Sequence, residues 1–379
     1  MRSLILTACA LLPAALGAQP GKLLVDPAPL ASRSVRSFEP FALSRSLIAS
    51  PRLISRHDRT VLSWIEPDED GRDRLYSFAL RDERQQDYPL GSLMAPIDQS
   101  GSGHVTSAAV SLSNDGRESA WAWLTANGDA QELWVRREGR VGSAVAQTTG
   151  LIEFPALCFD AAGNVYASWT EQVGGRPEVW VATQTASGDA WVSRQLCSHE
   201  GCDLLPQFFG GAQDARLLWY GLKGSGIALF SATVSQTAEP SVTMAQDVIP
   251  AYRLPILFRS GGETPGALWL EPVDGGEVYM ILDPRSASFP RPEMLGGEGQ
   301  RPLQAAVSQD DSAAFCWVNG SDKGAEMVAQ NPHGAKIVLP LPNPVVEPQS
   351  AVSRGWTNLA WVESDPETGL GTLWFYRAR

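Results

Sequence analysis

Residues 154–196 read FPALCFDAAGNVYASWTEQVGGRPEVWVATQTASGDAWVSRQL. A proline opens an apolar run, Gly163-Asn164 makes a turn, and a second run ends in Trp169-Thr170-Glu171. Gly174-Gly175 makes the next turn, and two further extended runs close the unit. Alternating and apolar runs of this length, bounded by Gly and Asn turns, predict a four-stranded antiparallel meander.

The frame recurs along the chain. Trp64, Trp123, Trp169, Trp219, Trp269, Trp317 and Trp361 follow one another at spacings of 59, 46, 50, 50, 48 and 44 residues. Pro51, Pro155, Pro206, Pro255, Pro302 and Pro348 precede six of them by 13 to 15 residues. Third strands are visible downstream as LYSFAL, ELWVRR, EVWVAT, IALFSAT, EVYMIL, EMVAQ and TLWFYR. Four strands per unit at this period predict an all-β fold, a seven-bladed β-propeller of four-stranded antiparallel blades. Each proline is expected at the first residue of an inner strand, where its missing N–H disturbs the ladder least, and each Trp between adjacent blades.

Composition agrees with that reading. Gly and Pro together number 62, and 13 Trp exceed 12 Phe and 7 Tyr, which suits short strands and turns and excludes a helical bundle. With 44% hydrophobic and 19% charged residues, the chain can bury a full core. A net charge of −12 argues against nucleic acid and anionic lipid as partners.

The first residues read as an address. Met1-Arg2-Ser3, the apolar run Leu4 to Gly17 and the small residues before Gln19 predict a secretory signal peptide over 1–18. Leu6-Thr7-Ala8-Cys9 offers a lipoprotein box, but the apolar run continues past Cys9 and reads better as one signal core. No segment has the length of a membrane span, so an exported protein, periplasmic or extracellular, is expected. Residues 19–50 form an N-terminal segment and residues 51–379 the propeller. The last repeat stops after its third strand, so a segment near Ser37 to Leu43 is expected to supply the seventh blade's outer strand and close the ring.

In an oxidising compartment Cys197 and Cys202 are expected to form a disulfide. Zinc with His199 as a third ligand is the alternative, at a spacing that matches no standard finger. Cys158 and Cys316 lie in apolar strands and read as buried thiols.

The repeat resembles that of the sialidase-like propellers, the bacterial neuraminidase family, of which this chain reads as a degenerate member. Ser187-Gly188-Asp189-Ala190-Trp191 is similar to the family's Asp-box turn, without its Gly and Thr. Tyr252-Arg253-Leu254-Pro255 is similar to the aromatic-Arg-Ile-Pro motif that carries one arginine of the family's carboxylate-binding triad. In the family that motif opens the first of six blades, whereas here it opens the fifth of seven. The resemblance implies a glycan-binding funnel, with Arg253 at its mouth for an anionic sugar carboxylate.

Candidate ligand-binding residues are therefore Arg253, Tyr252, Glu153, Arg301, Arg52 and His104. Glu153 and Arg253 each stand two residues before a strand-opening proline. His104 with Tyr252 is the first pair to consider as base and acid of a polysaccharide lyase. Glu66, Glu171, Glu271 and Glu363 all stand two residues after a repeat Trp. Because catalysis uses a residue once and architecture repeats it, these carboxylates read as structural, with Arg253 as an ion-pair partner. The string Glu66 to Asp73 reads as a solvated turn rather than a calcium loop, and His57, His104, His199 and His333 form no metal spacing. No nucleotide or dinucleotide fingerprint occurs, so no cofactor or metal is expected. The expected function is a monomeric, non-catalytic binder of a glycan or protein ligand. The alternative is a glycan-active enzyme, a sialidase-type hydrolase or a polysaccharide lyase, using the central funnel.

Overall fold

The computed structural model describes residues 40–81, 92–94, 97, 103–196, 203–208, 215–224, 226–235, 242–249, 256–258, 266–273, 276–282, 293–295, 301–307, 314–321, 324–330, 336–353 and 356–378. Among them there is no α-helix, and so none long and apolar enough to cross a membrane.

The strands run in chain order. After β1 (Phe41–Ser46), sheet 1 holds β2 (Ala49–Arg56), β3 (Arg59–Pro67), β4 (Asp73–Arg81) and β5 (Ser92–Met94). Sheet 2 holds β6 (His104–Leu112), β7 (Ser119–Asn127), β8 (Ala130–Arg137) and β9 (Ser143–Thr148). Sheet 3 holds β10 (Ile152–Phe159), β11 (Val165–Val173), β12 (Arg176–Gln184) and β13 (Trp191–Leu196). Sheet 4 holds β14 (Asp203–Phe208), β15 (Ala215–Lys223), β16 (Gly226–Val234) and β17 (Val242–Ile249). Sheet 5 holds β18 (Ile256–Phe258), β19 (Gly266–Val273), β20 (Gly276–Leu282) and β21 (Glu293–Met294). Sheet 6 holds β22 (Arg301–Val307), β23 (Phe315–Ser321), β24 (Gly324–Gln330) and β25 (Lys336–Leu341). Sheet 7 holds β26 (Val345–Ser353), β27 (Trp356–Ser364) and β28 (Gly371–Ala378). Its fourth strand is β1, antiparallel to β28 with Phe41 opposite Phe375 and Ser46 opposite Gly371. All pairings are antiparallel, and all but β1 with β28 join strands consecutive in sequence, an architecture of the β-propeller kind.

The second strand of each unit explains the packing. Every residue of β3 from Arg59 to Glu66 is buried, so the sheet is covered on both faces. The repeat Trp is the large element of that burial. Trp64, Trp123, Trp169, Trp219 and Trp361 lie directly opposite Tyr76, Trp134, Trp180, Phe230 and Trp374 on the third strand. The rings stack with centroids 6.1–6.4 Å apart. Each of these Trp also packs on the sheet before its own: Trp169 shares a core with Ala122 and Leu133, Trp219 with Val179, and Trp64 with Ala351 and Ala360. Aromatic rings thus bind the strands within a sheet and cement it to its neighbour. Outer strands such as β13 are largely exposed, with only Leu196 buried.

Neighbouring sheets follow chain order. β2 lies against β6 and β26, β10 against β6 and β14, and β22 against β20 and β26, while Leu257 of β18 shares a core with Leu218 and Tyr220 of β15. Like ends of the sheets meet. At the end where first strands finish, Arg59 donates to Glu138 and to the Arg117 carbonyl, and Arg137 to the Gly163 and Thr185 carbonyls. At the end where first strands begin, the Ile152 N–H donates to Gln131.

Deleting residues 1–46 removes β1 and bares the β28 edge. Calorimetry should show a Tm lower by about 5 °C or more with loss of cooperativity, and light scattering should show association; a truncated protein that melts as hot and as sharply as the full chain contradicts this role for β1.

Candidate functional site

The first strands do not begin at their prolines. Pro51, Pro155, Pro206 and Pro348 are the third or fourth residues of β2, β10, β14 and β26. The residue before each one is left-handed: Ser50 (φ 49°), Phe154 (φ 54°), Leu205 (φ 52°) and Glu347 (φ 51°). At each place the register with the second strand shifts, between Ala49 and Arg52, Glu153 and Ala156, Leu204 and Gln207, and Val346 and Gln349. These are β-bulges, where the unpaired position absorbs the proline's missing N–H inside the strand. Four side chains other than glycine held at positive φ cost roughly 1–2 kcal/mol each, and such strain gathers at ligand sites.

The bulges surround a cavity of about 790 Å³ walled by β2, β6, β10, β14, β18 and β26, within the usual size of a small-ligand pocket. Phe154, Leu205 and Glu347 themselves line it, together with Arg52 and Ile256.

Arg52 follows the first bulge and donates through Nη1 to the Pro51 carbonyl at 3.0 Å. Burial lowers its pKa, and the charge of Glu347 works the other way. Glu347 belongs to sheet 7 and Arg52 to sheet 1, so the pair spans neighbouring sheets. The Glu347 side chain is open to water in the cavity, yet protein crowds it enough for burial to raise its pKa, against the opposing charge of Arg52 and the Ser50 N–H. Deeper in the cavity, Arg56 donates to the Leu112 carbonyl and to Asn114 Oδ1 across to sheet 2. The Cys158 thiol is pushed well above its ordinary value by burial and then by Asp160.

Glu153 and His104 sit apart from the cavity. Half-buried Glu153 has its pKa raised by burial and is not among the cavity residues. Exposed His104 places Nδ1 3.1 Å from Asp73 Oδ2, at the rim of sheets 1 and 2. Arg301 begins β22 opposite Gly320, and its side chain is outside the described residues. Tyr252, Arg253, Cys197, Cys202, His199 and His333 also lie outside them. Cys158 and Cys316 are buried and not joined in a disulfide.

The repeated carboxylates serve indole rings. Trp169, Trp269 and Trp361 donate Nε1–H to Glu171, Glu271 and Glu363 at 3.2, 2.8 and 3.1 Å, and Glu66 accepts from Ser44 Oγ on β1. In the acidic string, Asp68 takes the N–H groups of Asp70 and Arg72 and the Arg74 guanidinium, which makes an Asx-type turn. No metal-type cluster of His, Cys, Asp and Glu occurs among the described residues. The Asp-box-like turn lies at the opposite end from the bulges, where Arg140 grips the Ala186 and Gly188 carbonyls and Asp189.

No family model matches the sequence, and no curated protein matches it. Among solved structures, the chain is similar to prolyl oligopeptidase B from Galerina marginata as the apo protein, with TM-score 0.48 and 12% identity over 86% of this chain and 50% of that one. It spans about half the length of that enzyme. It is also similar to Trypanosoma rangeli sialidase in complex with sialic acid (TM-score 0.44, 9% identity, 91% of this chain and 57% of that one). A mutant of the NanB sialidase from Streptococcus pneumoniae gives TM-score 0.46 and 10% identity over 94% of this chain and 72% of that one.

A raised carboxyl pKa stabilises the fold below the unfolded value near 4.5 and loses that contribution as pH rises through the folded value. Glu347→Gln should therefore gain on the native protein above that value, by about 1–3 °C in Tm at neutral pH, and match it in more acid solution. The opposite trend in a pH series of melts would mean that the Arg52 charge outweighs burial.

Proposed function

We propose that the seven sheets are the blades of one closed ring, latched by β1, and that the protein is an exported, non-catalytic binder whose ligand enters the central cavity at the bulged end. Supporting closure, sheet 7 lies against both sheet 6 and sheet 1, and β26 against β2. The observation that carries the binding reading is Arg52. Its guanidinium faces a cavity of about 790 Å³ and holds one hydrogen bond, to a carbonyl of its own strand. Apart from the nearby charge of Glu347, no other partner of this guanidinium occurs among the described residues, so it can meet a ligand acceptor, and partial desolvation strengthens any such bond. The apolar wall of Phe154, Leu205 and Ile256 supplies contact area, so a sugar or peptide with one acceptor end fits the site.

Crystals soaked with oligosaccharides and with short peptides should show density against Arg52 inside the cavity. Arg52→Met keeps the packing of the side-chain stem and should remove that density, with Tm within about 4 °C of the native value. Density confined to the outer strands, or binding unchanged in Arg52→Met, overturns the reading.

A further inference from the structure

In every sheet the hairpin between second and third strands lies at the end where the first strand begins, as the pairings of Ile152 with Glu171 and of Asp203 with Gly221 show. The bulged mouth is therefore ringed by hairpin tips, and their chemistry is unevenly distributed. Sheets 3, 4 and 5 present Val173, Leu222 and Val273, 43%, 39% and 43% exposed. Phe154 and Ile256, 38% and 39% exposed, continue this apolar arc into the cavity wall. Sheets 7, 1 and 2 present most of the exposed carboxylates among the described residues, Glu367 on sheet 7, Glu69 and Asp70 on sheet 1, and Asp129 on sheet 2, with Glu347 at the mouth itself, whereas the hairpin of sheet 5 adds Glu277. Cations at this end are partly neutralised, since Arg45 binds Asp365, Arg74 binds Asp68 and Arg52 lies near Glu347; Arg72 and Arg176 are exposed and Lys223 of the sheet 4 hairpin is half-buried. At the far end, by contrast, exposed charges of both signs mix among the described residues, Arg81, Arg117 and Lys336 with Asp115 and Asp189.

We infer that the bulged mouth docks a protein segment that carries both cationic and apolar side chains, the cations toward sheets 7, 1 and 2 and the apolar groups over sheets 3, 4 and 5. Charge complementarity selects this occupant. The acidic arc attracts Lys and Arg and repels an anionic glycan or an anionic membrane, while in the apolar arc Phe154 supplies one aromatic ring and the Val and Leu tips favour burial of apolar side chains over stacking of sugars. The inference rests on the reading of this mouth as the binding face and names the ligand class.

The test is selection of short random peptides on the immobilised full chain, with an oligosaccharide array run in parallel. Two rim variants accompany the native protein: Val173→Ser with Leu222→Ser and Val273→Ser, and Glu69→Lys with Asp70→Lys and Glu367→Lys. All six positions are on hairpin tips, so both variants should melt like the native chain. The expected result is enrichment of peptides combining Lys or Arg with Leu, Ile, Val or Phe, and about tenfold or greater loss of their affinity in each variant. Weakening with added salt should accompany it. Enrichment of acidic or uncharged peptides, no enrichment, or affinity unchanged in both variants overturns the inference. Glycan binding lost in the rim variants assigns the face to carbohydrate and also overturns it. If Arg52→Met alone abolishes peptide binding, the mouth is the site and the partner class is wrong; if Arg52→Met leaves binding intact while the rim variants lose it, the partner class stands and the cavity reading fails.

Discussion

A strand buried on both faces cannot be stable in a sheet that stands alone, and the second strand of each repeat is such a strand. β3 has no exposed residue from Arg59 to Glu66, and β27 is buried from Thr357 to Glu363. Each sheet therefore needs a neighbour on either side, and the repeat Trp supplies much of the apolar area that joins them. The Trp–Glu pairs belong to the same requirement. The indole N–H groups of Trp169, Trp269 and Trp361 inside this layer are met by the carboxylate two residues on, which faces the same side of the strand.

Stacking sheets face to face brings their first strands together, and the bulges then decide what the first strands present. A regular strand alternates its side chains between the two sheet faces. The left-handed residue before each proline breaks that alternation and gives Phe154, Leu205 and Glu347 a place on the cavity wall. Scaffold and site are thus separable: the Trp layer varies little between repeats, whereas the bulged position holds Ser, Phe, Leu or Glu.

The repeat, the hairpins and the third strands were legible because Trp spacing and Gly turns act locally. The prolines were legible as markers but not in their setting. A missing N–H suits a strand start as well as a bulge, and only the register of the second strand distinguishes the two. The structural role of Glu171, Glu271 and Glu363 followed from their repetition. The Arg52–Glu347 pair was not legible as a pair, since nothing local links two sheets at opposite ends of the chain. Nor was the division of the rim, because hairpin tips scattered through the sequence become neighbours only once the sheets are stacked.

The pairing of β1 with β28 also bears on how the protein folds. Within sheets 1 to 6 every ladder joins strands adjacent in sequence, so each sheet can form from a local stretch. Sheet 7 is the exception, because β1 and β28 lie at opposite ends of the described chain. Loop closure over such a span is entropically expensive and slow, and contacts of this separation dominate the folding time of β proteins. The early sheets are available soon, while sheet 7 awaits its partner strand with one edge open. The interval before β1 and β28 meet is therefore the stage at which this chain is most exposed to pairing with other copies of itself.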